Sequence, residues 1–234
     1  MRFVLVVLGA FMFCTCALAG EIHGKAVFEG QPPAMREIDM NADPICATKH
    51  GTPIKYEYLV LGEGQTMANV LVRVVSGLPK AAWPAPEGAV DLTQEGCRYA
   101  PHVFAVRVGQ PLRILNPDGT LHNVHGMAKD NPEFNKTMTK TTSELPLKFD
   151  KPEAPFALRC QVHNWMEAWC AVVDHPYFAV TAADGTFTIS GLPAGEFTVE
   201  AWHEKLGTRQ ATVTVSEDGQ TTADFTFSRQ QQAK

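Results

Sequence analysis

The sequence predicts an all-β protein built as two successive sandwiches, and three features carry that expectation. Helical periodicity is almost absent along the 234 residues. Short runs rich in Val, Phe, Thr and Ile alternate with Gly, Pro, Asn and Asp, the punctuation of antiparallel strands and their turns. Within several runs the apolar residues recur at every second position, as a strand with one buried face requires.

In chain order, "MRFVLVVLGAFMFCTCALAG" comes first, with one Arg, an apolar run and a small-x-small site at Ala17-Leu18-Ala19. That is the shape of a secretory leader cut after Ala19, and the run is short for a membrane span. "EIHGKAVFEGQPP" opens as a strand and stops at Pro32-Pro33, and Met35 to Thr52 reads as a long irregular loop. "ANVLVRVVSG" is a strand and "WPAPEGAV" a Pro-rich connection. "HVFAVRVGQPLRILNPDGT" predicts two strands around Gly109-Gln110-Pro111, then a turn at Pro117-Asp118-Gly119. Met127 to Leu145 is polar and reads as a short helix or a wandering loop.

After Asp174 the pattern becomes regular, with five short strands separated by turns at 184–185, 191–195, 207 and 218–219. Phe197, Val199 and Ala201 share one face of their strand, as do Ala211, Val213 and Val215 of the next. The expected organisation is a leader over 1–19, a first sandwich with an N-terminal extension over 20–175, a second sandwich over 176–228, and a disordered tail over 229–234.

Six cysteines are present, and Cys14 and Cys16 leave with the leader. In an oxidising compartment the default for Cys46 and Cys97 is a disulfide. A net charge of −5 and the lack of a basic run argue against nucleic acid or an anionic membrane as partner. Export, to a periplasm or outside the cell, is the expected destination, with no membrane span after cleavage.

The chemistry concentrates in "FALRCQVHNWMEAWC", residues 156–170. Phe156, Leu158 and Cys160 fall on one strand face, so the thiol points inward at the strand's end. His163 and Met166 follow in a tight loop before "EAWCAVV". A thiolate, a neutral imidazole and a weak thioether are the donors that select copper, and a second imidazole completes the set. "TLHNVHG" offers His122 and His125, whose odd separation sends them to opposite faces. Parity therefore admits one of the two and leaves open which.

These residues carry a resemblance. "VRVGQPLRILNPDGTLHNVH" followed by "CQVHNWM" is similar to the cupredoxins, the small Greek-key blue copper electron carriers, and within them to the amicyanin-like Cys-x2-His-x2-Met loop. The resemblance covers residues 103–175 and implies one copper ion held by His122, Cys160 and His163, with Met166 as the long axial ligand. It implies that Asn123 ties the two ligand segments together by hydrogen bonds and makes His125 a neighbour rather than a ligand, so that His125 stays the alternative ligand on parity alone. Where cupredoxins often carry Pro after the loop histidine, this chain has Asn164, and Trp165 takes the place of a smaller ring. Cys170 lies too far along for a two-cysteine binuclear loop and reads as a buried apolar side chain. "VTAADGTFTISGLPAGEFTVEAW" resembles the carboxypeptidase regulatory-like domains, of transthyretin-like fold, which implies packing or partner contact and no reaction.

The expectation is a non-enzymatic, exported carrier of single electrons between redox partner proteins, with His163 as the more exposed edge for electron exit and His122 as the buried imidazole. The competing class is copper carriage, or a matrix-binding sandwich, without redox turnover. The other histidines carry less. His50 and His102 flank the cysteines of the expected bridge and read as surface or hydrogen-bonded residues; His23 and His175 read as strand ends. The His203-Glu204 pair lacks a nearby nucleophile for acid–base work and reads as a turn.

Overall fold

The computed structural model describes residues 19–229; the leader, apart from Ala19, and the tail beyond Arg229 lie outside them. The strands are β1 (Gly20–Glu29), β2 (Leu71–Ser76), β3 (Val90–Gln94), β4 (Tyr99–Ala100), β5 (Val103–Arg107) and β6 (Pro111–Leu115). They continue with β7 (His122–Gly126), β8 (Phe134–Met138), β9 (Glu144–Lys148), β10 (Glu153–Arg159) and β11 (Glu167–Val173). The last six are β12 (Phe178–Val180), β13 (Thr186–Leu192), β14 (Gly195–His203), β15 (Gly207–Val215), β16 (Gln220–Thr222) and β17 (Phe225–Ser228). One short helix, α1 (Pro44–Ala47), interrupts the segment expected to be loop. No helix of the described residues is long and apolar enough to cross a membrane.

The fold is all-β. Strands in the order β5-β11-β10-β7-β8 form one sheet and β4-β3-β6-β9 another. Between them lies a core that includes Leu92, Phe104, Ile114, Val124, Phe156, Leu158 and Cys170. The stretch expected to be helix or loop over Met127–Leu145 instead supplies β8, paired with β7, and the start of β9. The buried Glu153 carboxylate holds the turn between β7 and β8 by accepting the amides of Lys129, Asp130 and Asn131. Polar composition there reflects outward-facing strand residues: β8 buries only Met138 fully.

The second sandwich packs β13-β1-β16, with β17 also pairing β1, against β12-β2-β14-β15. Its core gathers Ile22, Phe28, Val72, Val74, Phe187, Ile189, Phe197, Val199, Val215 and Phe227. The strand expected over the last segment divides into β16 and β17 around Ala223-Asp224. Here the pairing differs from the grouping expected of the sequence, which placed residues 20–76 with the first sandwich. β1 lies antiparallel to β13 and parallel to β16 and β17, while β2 lies between β12 and β14. The reason is burial. The alternate residues Ile22, Ala26 and Phe28 need an apolar face across from them, and the C-terminal strands provide it. At Gly24 the backbones approach so closely that a Cβ would meet the carbonyl oxygen of Ala223 at 2.0 Å.

Leu71, Val103, Ala105, Ala171 and Val173 form a separate apolar cluster where the two sandwiches meet. All of β5 is therefore buried, one face in each layer, which accounts for its unbroken apolar run "VFAV". Trp169 and Trp202 face each other across this junction at 5.3 Å.

Candidate metal centre

The site is made by register. β10 runs antiparallel to β7 with Leu158 opposite Gly126 and Arg159 opposite His125. The chain leaving β10 at Cys160 therefore passes alongside Asn123 and His122. Asn123 Oδ1 accepts the Gln161 amide at 2.6 Å and lies 3.5 Å from Cys160 Sγ, a direct tie between the two segments. The loop closes on itself, since the Cys160 amide donates to the Met166 carbonyl (3.1 Å) and the Met166 amide to the His163 carbonyl (3.0 Å). The Tyr99 hydroxyl, pushed up in pKa by burial, donates to the Asn123 carbonyl at 2.6 Å and anchors this end of β7.

Cys160 Sγ, a His122 ring nitrogen and a His163 ring nitrogen lie within 4.8 Å of one another, and all three residues are buried. His122 Nδ1 and His163 Nδ1 are 3.0 Å apart, and His163 Nδ1 is 3.8 Å from Cys160 Sγ. Met166, at the end of the same loop, is buried as well. His125 is turned away, with Nε2 on Glu133 at 2.6 Å and Nδ1 facing Gln161 at 3.2 Å. Cys170 is buried and free, as is Cys160, so no bridge joins the two. Burial pushes the Cys170 thiol well up, as suits an inert core residue.

The outer nitrogens are as constrained as the inner ones. His122 Nε2 donates to Asp118 Oδ2 at 3.0 Å and His163 Nε2 to Asp43 Oδ2 at 2.9 Å. Asp118 also accepts the amides of Gly96 (2.8 Å) and Cys97 (2.7 Å) and pairs with Lys49 at 2.9 Å. Burial alone would raise its pKa, but His122, Lys49 and the two amides hold it well below the usual carboxylate range. Asp43 caps α1 by accepting the amides of Ile45 and Cys46, and its bond to His163 is the chief cause of its lowered pKa. Burial would likewise raise the Cys160 thiol, yet His122, Asn123 and the amides around the loop bring it down to about 7.

With both Nε2 atoms spent as donors to carboxylates, both Nδ1 atoms turn to each other and to the thiol. At 3.0 Å beside a thiol of depressed pKa, the two Nδ1 atoms are held together by a shared proton, which a metal cation between them would displace. A soft thiolate and two neutral imidazoles, each oriented by a carboxylate behind it, are a donor set that copper fits.

The Cys46–Cys97 disulfide expected of the sequence is present. Its place is informative: Cys46 Sγ lies 3.4 Å from His163 Nε2, and Trp165 Nε1 donates to the Cys97 carbonyl at 3.0 Å. The Trp165 ring sits 5.1 Å from that of His163. These neighbours correct the expectation of an exposed His163 edge, for the residue is only 2% exposed. Asp43, Asp118 and Lys49 were not singled out in the sequence. A weak signal existed, because Asp43 immediately before Pro44 marks a helix start. Nothing local tied that helix to a histidine 120 positions away.

Among the remaining histidines, His50 Nε2 bonds the Gly96 carbonyl at 2.7 Å. His102 bonds the Glu167 carbonyl through Nδ1 at 3.1 Å and pairs through Nε2 with Glu204. Glu204, expected to be a turn residue, thus reaches across the junction of the sandwiches to a buried histidine.

Comparison with known proteins divides along the chain. Residues 172–228 match the family model of the carboxypeptidase regulatory-like domain. No curated protein matches the sequence. Among solved structures, the Cu-containing nitrite reductase of Thermus scotoductus aligns at 20% identity over 43% of this chain, with a TM-score of 0.32. A Cu(I) mutant of amicyanin aligns at 22% identity over 43% of this chain, with a TM-score of 0.33, and a reduced mutant at 23% with the same coverage and score. The chain spans 25% of the nitrite reductase and 97% of each amicyanin.

Proposed function

We propose that this is an exported, non-enzymatic protein that binds one copper ion and passes single electrons between redox partner proteins. The observation that carries the reading is the convergence of Cys160 Sγ, His122 Nδ1 and His163 Nδ1 from two separated segments, with both imidazoles oriented from behind. His122, Cys160 and His163 would hold the ion, with the buried Met166 as a further ligand. Bound there, copper would supply one-electron Cu(I)/Cu(II) chemistry.

The chain's own contribution is rigidity and exclusion of water. Asn123 locks the two segments together, the loop amides close the 160–166 turn, and the disulfide-anchored α1 covers the histidine edge. A pocket whose donors are already placed changes little between two oxidation states, which is what fast electron exchange requires. The leader-like pattern of the first 19 residues and the Cys46–Cys97 disulfide support the reading of an exported protein. The mildly acidic chain is read as having no nucleic-acid partner.

The copper-loaded chain tests this by its optical and paramagnetic spectra. Intense visible charge-transfer absorption, lost in Cys160→Ser and reversibly bleached on reduction, is the expected result. One observation favours a second reading, copper carriage without redox turnover. Both imidazoles are almost wholly buried, His122 at 0% and His163 at 2%. A colourless protein that nonetheless binds Cu(I) tightly would establish carriage and overturn electron transfer.

A further inference from the structure

Resting on the copper reading, we infer that Asp43 and Asp118 are paired positioning residues which, locked together by the Cys46–Cys97 disulfide, fix both imidazoles and bias the site toward Cu(II). The carboxylates arrive from different parts of the chain, one from the cap of α1 and one from the turn after β6. Both end at the same bridge. Asp43 Oδ1 accepts the Cys46 amide at 3.4 Å, and Asp118 Oδ2 accepts the Cys97 amide at 2.7 Å. The second oxygen of Asp43 and the same Oδ2 of Asp118 take the outward Nε2–H groups of His163 and His122. Lys49, two residues beyond α1, closes the loop by pairing with Asp118 at 2.9 Å.

The electronic consequence follows from the hydrogen bonds. An imidazole donating to a carboxylate carries more negative charge at its other nitrogen and is the stronger donor. Two such imidazoles, with two carboxylates behind them, stabilise the doubly charged ion more than the singly charged one. A histidine whose outer edge met water or a neutral carbonyl would lack that bias. The arrangement also gives a further role to the extension over residues 35–57, which lends Met40 and Cys46 to the core of the first sandwich but no strand to its sheets. It brings the carboxylate, the cap and half of the bridge to His163.

Asp43→Asn and Asp118→Asn, alone and combined, test the inference by Cu(II) and Cu(I) affinity and by midpoint potential. Asparagine caps a helix as well as aspartate, so Asp43→Asn removes the charge and leaves α1 in place. Each substitution is expected to weaken Cu(II) binding 10- to 100-fold, as losses behind a metal ligand do, and to weaken Cu(I) binding less. The potential then rises by about 59 mV for each tenfold change in the ratio of the two affinities. In the diamagnetic Cu(I) protein, two hydrogen-bonded imidazole Nε2–H resonances are expected, and each variant should displace its own. A wild-type chain that takes up no copper overturns the copper reading and this inference with it. A blue wild-type protein whose variants keep the same potential and affinities overturns the clamp alone.

Discussion

The two sandwiches bury different things. Twelve polar or charged residues are buried in the described chain, and ten of them lie between Gln94 and His163, in the first sandwich. The second contributes two, Thr181 and His203, around a core otherwise built of Ile, Val, Phe, Leu and Ala with Met67 and Tyr177. A buried polar group costs stability unless it is bonded, so proteins retain such groups where geometry or chemistry requires them. The contrast sets the candidate site in the half that buries polar groups and gives the other an almost wholly apolar core. It also explains why the halves read so differently in sequence: a plain apolar core produces regular alternation, and a functional one breaks it.

The contrast can be broken or sharpened by experiment. The largest effect is expected from Phe197→Ala, which empties the middle of the second core and should cost up to about 5 kcal/mol, read from denaturant midpoints. At temperatures where the variant stays folded, the copper spectrum should be unchanged. A lost spectrum in a folded variant would show that the scaffold shapes the site. Replacing Cys46 and Cys97 together by Ser should cost about 4 kcal/mol for a bridge spanning 51 residues, and unlike Phe197→Ala it should also raise the midpoint potential.

A third test concerns the polar exception in the second sandwich. Burial lowers the His203 pKa from 6.5 to about 4, and Glu204, which acts the other way, does not offset it. The folded state thus binds the proton less well than the unfolded chain. Stability from this group is complete above pH 6.5, falls as pH drops toward 4, and levels off below, for a total of about 3 kcal/mol. His203→Asn should remove that part of the acid slope, measured as unfolding free energy at pH 7, 5.5 and 4. A slope identical to wild type would contradict the assignment. The smallest effect is expected of Trp165→Phe, which deletes the bond to the Cys97 carbonyl and trims a ring packed beside His163. About 1 kcal/mol should be lost, with the copper spectrum retained.

The candidate donors were legible because metal ligation would demand particular atoms at short sequence spacing. Cys160, His163 and Met166 stand out for that reason, and the strand before them points the thiol inward. Choosing His122 over His125 needed more than parity. The register of β7 against β10 presents one imidazole to the thiol and sends the other to Glu133. The exposed edge expected for His163 was wrong because the covering residues, Asp43 and Cys46, lie far away in sequence. The strand character of 134–138 was masked for a different reason, since a strand with one outward face and a marginal inner one has no strong pattern.

Local pattern, then, determined most strands and turns and the thiolate-imidazole motif, because each depends on residue types a few positions apart, and cysteine usage in an exported chain pointed to the bridge. Three things were decided only by the folded chain. β1 and β2 joined the C-terminal strands. Asp43 and Asp118 came to stand behind the two histidines, and Glu204 paired with His102 across the junction. All are long-range pairings, selected by which apolar faces and charges remain to be satisfied once the strands exist, and no short window of sequence contains both partners.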